Sequence, residues 1–293
     1  MNKKIGLILT VFMVSLVAMG IGQTAQAYTY YIEQFSVWRS PTSTPSAAPT
    51  ALIFDDHFTD NLPVQSGTID SNVNFASGAD AFYFLYGSVG PENSGKLRLD
   101  SSGGIPNTVA GVPLLFNGGL LLTNITTAPT LGTDRTFKVQ GVFDLIVPTV
   151  TGGYAVQLND GTTGHPSDDL ITMQVHMDPW GQVHIEMLRI DSVAGTLTVI
   201  EQAPLDTSHD QIAFMLTRGS TSSNAVAGSY RYIDGGAPVG DWVTFANTAD
   251  IFHGENYTRV QFVASGAVPE PATMLLLGSG LLGLIGFRKK WGK

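Results

Sequence analysis

LITMQVHMDPWGQVHIEMLRI, residues 170–190, is the stretch on which the fold turns. Ile171, Met173, Val175 and Met177 alternate with Thr172, Gln174 and His176. A period of two is the mark of a half-buried strand. Asp178-Pro179-Trp180-Gly181 is a turn signal, and a second apolar run returns over 183–190. Pairing Met177 with Val183 puts His176 opposite His184 and Gln174 opposite Glu186, all four on one face. Two readings of that face stand side by side. An antiparallel sheet needs a polar side in any case. Alternatively, two imidazoles and a carboxylate are metal-ligand types, and on a concave sheet the same groups would touch sugar. Trp180, at the hairpin tip, is an aromatic placed to stack on a ring.

The rest of the body repeats this rhythm. Strand-like runs occur at 96–100, 120–125, 136–147, 154–158, 196–200, 211–217, 229–233, 241–245 and 258–263. Gly152-Gly153, Ala194-Gly195 and Asp234-Gly235-Gly236 punctuate them. No body segment has helical periodicity, and no repeat has a fixed period. The expected fold is all-β, an antiparallel two-sheet sandwich. Residues 28–50 read as an N-terminal strand followed by a Pro/Ser/Thr-rich linker, and residues 51–266 as the sandwich body. That body is too long for one immunoglobulin-type module and fits a jelly roll.

Within 134–265 the order of segments resembles a concanavalin A-like (laminin-G-like) lectin or glucanase jelly roll. The segments are Phe137-Lys-Val-Gln-Gly-Val-Phe-Asp144, Gly153-Tyr-Ala-Val-Gln-Leu158, Asp169-Leu-Ile-Thr-Met-Gln-Val175 and Gly181-Gln-Val-His-Ile-Glu186. The resemblance rests on strand rhythm. It implies a carbohydrate-associated module, with His176, His184, Glu186 and Trp180 as the ligand face. Glucanases of that fold carry Glu-x-Asp-x-x-Glu on one strand. This chain has Glu186-Met-Leu-Arg-Ile-Asp191, with Leu188 where an acid is needed. Glu186 and Asp191 also fall on opposite faces of an unbroken strand. The departure argues against glycosidase chemistry, leaving an enzyme as the alternative reading.

The two ends carry the transport signals. Lys3 and Lys4, an apolar run over 5–21 and Ala25-Gln26-Ala27 form a secretory signal peptide over residues 1–27, cut after Ala27. At the other end, residues 272–287 hold no charge and rise roughly 24 Å as a helix. That is short of a hydrocarbon core of about 30 Å. Arg288, Lys289 and Lys290 can reach headgroups and stop transfer, and they set the tail's end inside. Pro269 and Pro271 keep Val268-Pro269-Glu270-Pro271 extended. This order of motif, Leu/Gly-rich segment and basic end resembles the PEP-CTERM sorting signal, also catalogued as an ice-binding-protein C-terminal domain. The resemblance covers residues 268–293. It implies recognition by an exosortase, a membrane-embedded cysteine protease-transpeptidase. It further implies export in an exopolysaccharide-making Gram-negative bacterium, transient anchoring in the inner membrane through a single transmembrane helix over 272–287, and delivery to the cell surface or matrix. It says nothing of what the body does.

Charge excludes one class of partner. Residues 28–267 carry 9 Lys+Arg against 23 Asp+Glu, a net of −14, which repels nucleic acid. The same balance suits a divalent cation. Asp55-Asp56, Asn159-Asp160 and Asp168-Asp169 are oxygen-rich, so Asp160, Asp168 and Asp169 stand as calcium candidates, against a bland reading as turn caps. Cysteine is absent, so no disulfide holds the exported fold. No nucleophile elbow, P-loop, dinucleotide fingerprint or His-Glu-x-x-His occurs. The sequence thus points to a non-enzymatic surface or matrix protein, associated with polysaccharide or purely structural.

Overall fold

The structure is a computed structural model. It describes residues 28–59, 74–75, 81–86, 88–100, 105–109, 112–123, 131–132, 135–149, 151–159, 170–178, 180–191, 196–250 and 257–267. The expected signal peptide and the whole C-terminal tail lie outside these residues, as do Asp160, Asp168 and Asp169. Among the described residues no helix is long and apolar enough to cross a membrane.

The described residues are all-β. In chain order the strands are β1 (Thr29–Arg39), β2 (Ala51–Asp56), β3 (Asn74–Phe75), β4 (Ala81–Tyr86), β5 (Ser88–Glu92) and β6 (Leu97–Asp100). Next come β7 (Ile105–Val109), β8 (Val112–Thr123), β9 (Leu131–Gly132), β10 (Phe137–Asp144), β11 (Gly152–Asn159) and β12 (Leu170–Met177). The last are β13 (Val183–Asp191), β14 (Thr196–Pro204), β15 (Gln211–Arg218), β16 (Ala225–Asp234), β17 (Ala237–Asp250) and β18 (Tyr257–Ala267). They form two antiparallel sheets. The first runs β17-β16-β15-β10-β1-β2-β3, with β6 also on β1; the second runs β14-β13-β12-β11-β18-β8-β4, with β7 on β8.

Alternation explains why the sheets stack. Val139 and Phe143 of β10 and Ile212, Phe214 and Leu216 of β15 are fully buried on one side. Met173 and Val175 of β12, Val156 of β11 and Phe262 of β18 are buried on the other. Aromatic contacts stitch the layers. The ring of Tyr154 in β11 lies 4.9 Å from that of Tyr30 in β1 and 5.2 Å from that of Phe143. Phe35 of β1 meets Phe262 edge-on at 5.2 Å. Such pairs add to the area that each ring buries.

The strand expected within residues 28–50 is present as β1. β1 lies inside the first sheet, paired with β10 from Ile32 to Arg39 and with β2 from Phe35 to Arg39. Its partner β10 is about a hundred residues away, so no local pattern announces the pairing. The Pro/Ser/Thr stretch is a fastened loop. Ser40 N donates to Thr136 O at 2.9 Å, Thr136 Oγ1 donates to Ala47 O, and Thr221 N donates to Pro45 O at 2.8 Å. Asp55 and Asp56 are the last two residues of β2. Asp56 is buried and accepts from Phe58 N, and Asp55 accepts from Gln34 and Ser36.

Candidate functional site: the outer face of the second sheet

The hairpin register is the one that the sequence specifies. Met177 pairs with Val183, His176 with His184, and Gln174 with Glu186. The neighbouring strands extend this face. Across β11, Gly153, Ala155 and Gln157 lie beside His176, Gln174 and Thr172. Beyond them Ser265, Val263 and Gln261 of β18 continue the same rows. All these positions face away from the shared core.

A shallow groove runs along this face, about 520 Å³ when the open solvent above it is included. Gly153 and Ala155 of the middle strand line it. Leu170, Leu188, Ile190 and Leu197 line one end; Gln174, His176 and Ser265 line the other. The groove is therefore graded from aliphatic to polar along the strands.

Two polar groups on this face are buried without a partner. Thr172 is fully buried and lines the groove, and its Oγ1 has no hydrogen bond among the described residues. Gln261 donates through Nε2 to Gln157 Oε1, while its own Oε1 is left unpaired. A buried polar atom without a partner costs about 1–3 kcal/mol, so such atoms are rare unless something outside the chain satisfies them.

Of the residues singled out from sequence, the structure brings His176, His184 and Glu186 together and leaves Trp180 apart. Glu186 is 5% exposed and does not line the groove. Its Oε1 lies 3.0 Å from His176 Nδ1 and accepts from Gln174 Nε2 at 2.7 Å. It orients two side chains that do line the groove. Burial pushes its carboxyl pKa up, but the bonds from His176 and Gln174 and the nearby His184 outweigh burial and hold it below the ordinary value. Trp180 is 84% exposed at the hairpin tip. Asp178 Oδ1 accepts from Trp180 N and Gln182 N there, and Gly181 takes the left-handed φ of 83° that the turn needs.

Among the described residues no three His, Cys, Asp or Glu side chains converge as metal ligands. His176 instead turns Nδ1 to Glu186. Trp242 packs beside Val142, Ala213 and Ile233 on the first sheet, with the guanidinium of Arg231 4.6 Å from its ring. Sequence reasoning missed Thr172, Gln157, Gln261 and Ser265, because β11 and β18 meet β12 only in three dimensions. The one available signal was polar residues in otherwise apolar strands, at Gln157 and Gln261.

Residues 267–290 match the PEP-CTERM protein-sorting motif. Among curated proteins none matches the chain. The motif makes this an exported protein sorted through an exosortase.

Proposed function

We propose that this is a non-enzymatic surface or matrix protein whose sandwich, of the concanavalin A-like jelly-roll kind, holds a carbohydrate chain in the groove of its second sheet. The observation that carries this reading is the unpaired, buried Thr172 Oγ1 in a groove with one aliphatic and one amide-and-imidazole end. A sugar ring has the matching character: apolar C–H faces and a rim of hydroxyls that donate and accept. Thr172, Gln174, His176 and Ser265 would take the hydroxyls; Leu188, Ile190 and Leu197 would pack on the ring. Trp180 would stack on a neighbouring unit of a longer chain. The export route puts such a body where polysaccharide is found.

We read the groove as a binding site and not as that of a hydrolase. Glu186 is the one carboxylate among the described residues of this face, and its Oε1 is engaged by His176 and Gln174. Leu188 occupies the place of a second acid and lines the groove. Glycoside hydrolysis needs two carboxyl groups flanking the bond.

In this reading residues 272–287 anchor the chain in the inner membrane, with Arg288, Lys289 and Lys290 inside. Exosortase then acts near Val268-Pro269-Glu270-Pro271 and passes the body to the surface. The test is binding of the detergent-purified chain to a panel of bacterial exopolysaccharides, with and without calcium. Saturable binding that Gln174→Ala weakens tenfold or more supports the reading. No binding under either condition removes it, and hydrolysis abolished by Glu186→Gln would replace it with the enzyme.

A further inference from the structure

The sandwich has two ends, and one of them gathers every point at which the chain leaves toward an apolar segment. β18 finishes at Ala267, the first residue matched by the sorting motif. Its last rows pair Gly266 with Gly152, Gly152 with Met177, and Met177 with Val183. The Trp180 turn therefore caps the same end, some two to three strand spacings of about 4.8 Å from the exit. The connection from β10 to β11 also lies there, carrying Val147, itself 40% exposed. Tyr28, the expected mature N-terminus, precedes β1 at this end, where its side chain hydrogen-bonds Thr149.

The β7–β8 hairpin reaches past the exit. Ala267 pairs with Leu114, and Leu114 pairs with Asn107; Thr108 with Pro113 and Val109 with Val112 form two further rows beyond. From residue 101 to residue 133, the stretch that contains this hairpin, the chain has no Asp, Glu, Lys, Arg or His. In a body of net −14, so long an uncharged run is a departure in composition at one place.

Reach fixes what lies nearby. Four residues, 268–271, separate Ala267 from the apolar segment at 272, and the five Cα-to-Cα steps span at most ~18 Å. An exposed tryptophan and an uncharged hairpin suit the water–lipid boundary. Asp206, Asp210 and Asp234 lie toward the other side of this end, around the starts of β15 and β17. Anionic lipid would repel them, tilting the body onto the hairpin side.

We infer that this end of the sandwich, the β7–β8 hairpin with the Trp180 turn and Val147, is a lipid-contact surface. It rests on the outer leaflet while the tail is still attached. The inference rests on the anchoring of residues 272–287 and is independent of the groove.

The chain has no cysteine, so single introduced cysteines give unique sites for an environment-sensitive dye. Thr108→Cys and Gln182→Cys report on the proposed surface. Gly219→Cys, in open space at the opposite end of β15, is the reference. The full chain is reconstituted in phosphatidylcholine vesicles with brominated acyl chains and recovered by flotation. The dyes at 108 and 182 should lose most of their emission to the quencher while the dye at 219 loses none. Inserting about 15 Gly/Ser residues after Ala267 adds ~20 Å of root-mean-square reach. Quenching at 108 and 182 should survive the insertion. Chains that float with 108 and 182 as unquenched as 219, or that lose quenching once lengthened, overturn the surface and leave the anchor standing. A chain that does not float overturns the anchor and the surface together.

Discussion

Glu186 shows how far one residue can be read before its surroundings are known. The alternation of 170–190 puts it on a polar face with Gln174, His176 and His184, and the structure keeps that register. Alternation does not say that the carboxylate is covered and turned sideways. Its lowered pKa has a consequence in pH. A depressed carboxyl stabilises the fold fully above its unfolded value, near 4.5, and that contribution is lost as pH falls through the lower folded value. Glu186→Gln should lower stability by about 1–2 kcal/mol at neutral pH, and melting curves of the two proteins should converge once pH falls below the lowered folded value. A gap that persists into strong acid would mean the carboxylate is not the source. Thr172 makes the opposite case. Its Oγ1 is buried and, among the described residues, unpaired, so Thr172→Val should leave stability unchanged or raise it by about 1 kcal/mol, while weakening polysaccharide binding. A loss of stability in denaturant titration would show that the hydroxyl has a partner within the fold.

Elements were legible where period two was clean and obscure where it was not. β12 and β13 announce themselves, and β10, β11, β15 and β18 nearly so. β4 reads AFYFLY, a continuous apolar run with no alternation, and β7 contains Pro106. Both lack the pattern that would have marked them. β11 shows why its two opening glycines are more than punctuation. A Cβ on Gly153 would sit 1.8 Å from the carbonyl oxygen of Val175, backbone that cannot move without breaking the β11–β12 ladder. A Cβ on Gly228 would meet the sulfurs of Met173 and Met187 at 2.4 and 2.9 Å, ends of flexible side chains that can swing away. Gly153→Ala should therefore cost about 3 kcal/mol or more, and Gly228→Ala about 1 kcal/mol. Urea unfolding midpoints of the two variants check the order. Equal losses would mean that the strands separate more easily than the register implies.

At the scale of the whole molecule, the class of fold was legible and its outline was not. Recurrent short strands without helices leave a sandwich as the natural way to bury one face of each sheet. Which strands neighbour one another depends on contacts that no window of sequence contains, and β1 is the clearest case. It looked detachable because a Pro/Ser/Thr stretch follows it. In the fold it is the strand between β10 and β2, and it places Tyr30, Ile32, Phe35 and Val37 in the core at 1% exposure or less. Each such side chain is worth about 1.5–3 kcal/mol on burial, so together they match the entire stability of an ordinary domain, about 5–15 kcal/mol. Removing β1 would also open the first sheet between β10 and β2, leaving two unpaired edges where the core is deepest. A chain that begins at Ala51 should thus fail to fold, with no cooperative transition in urea and rapid cleavage by a broad-specificity protease. A chain that begins at Tyr28 should resist the protease and unfold in one step. Cooperative unfolding of the shorter chain would mean that β1 is an appendage after all, and that the residues it buries are shielded by some other part of the sandwich.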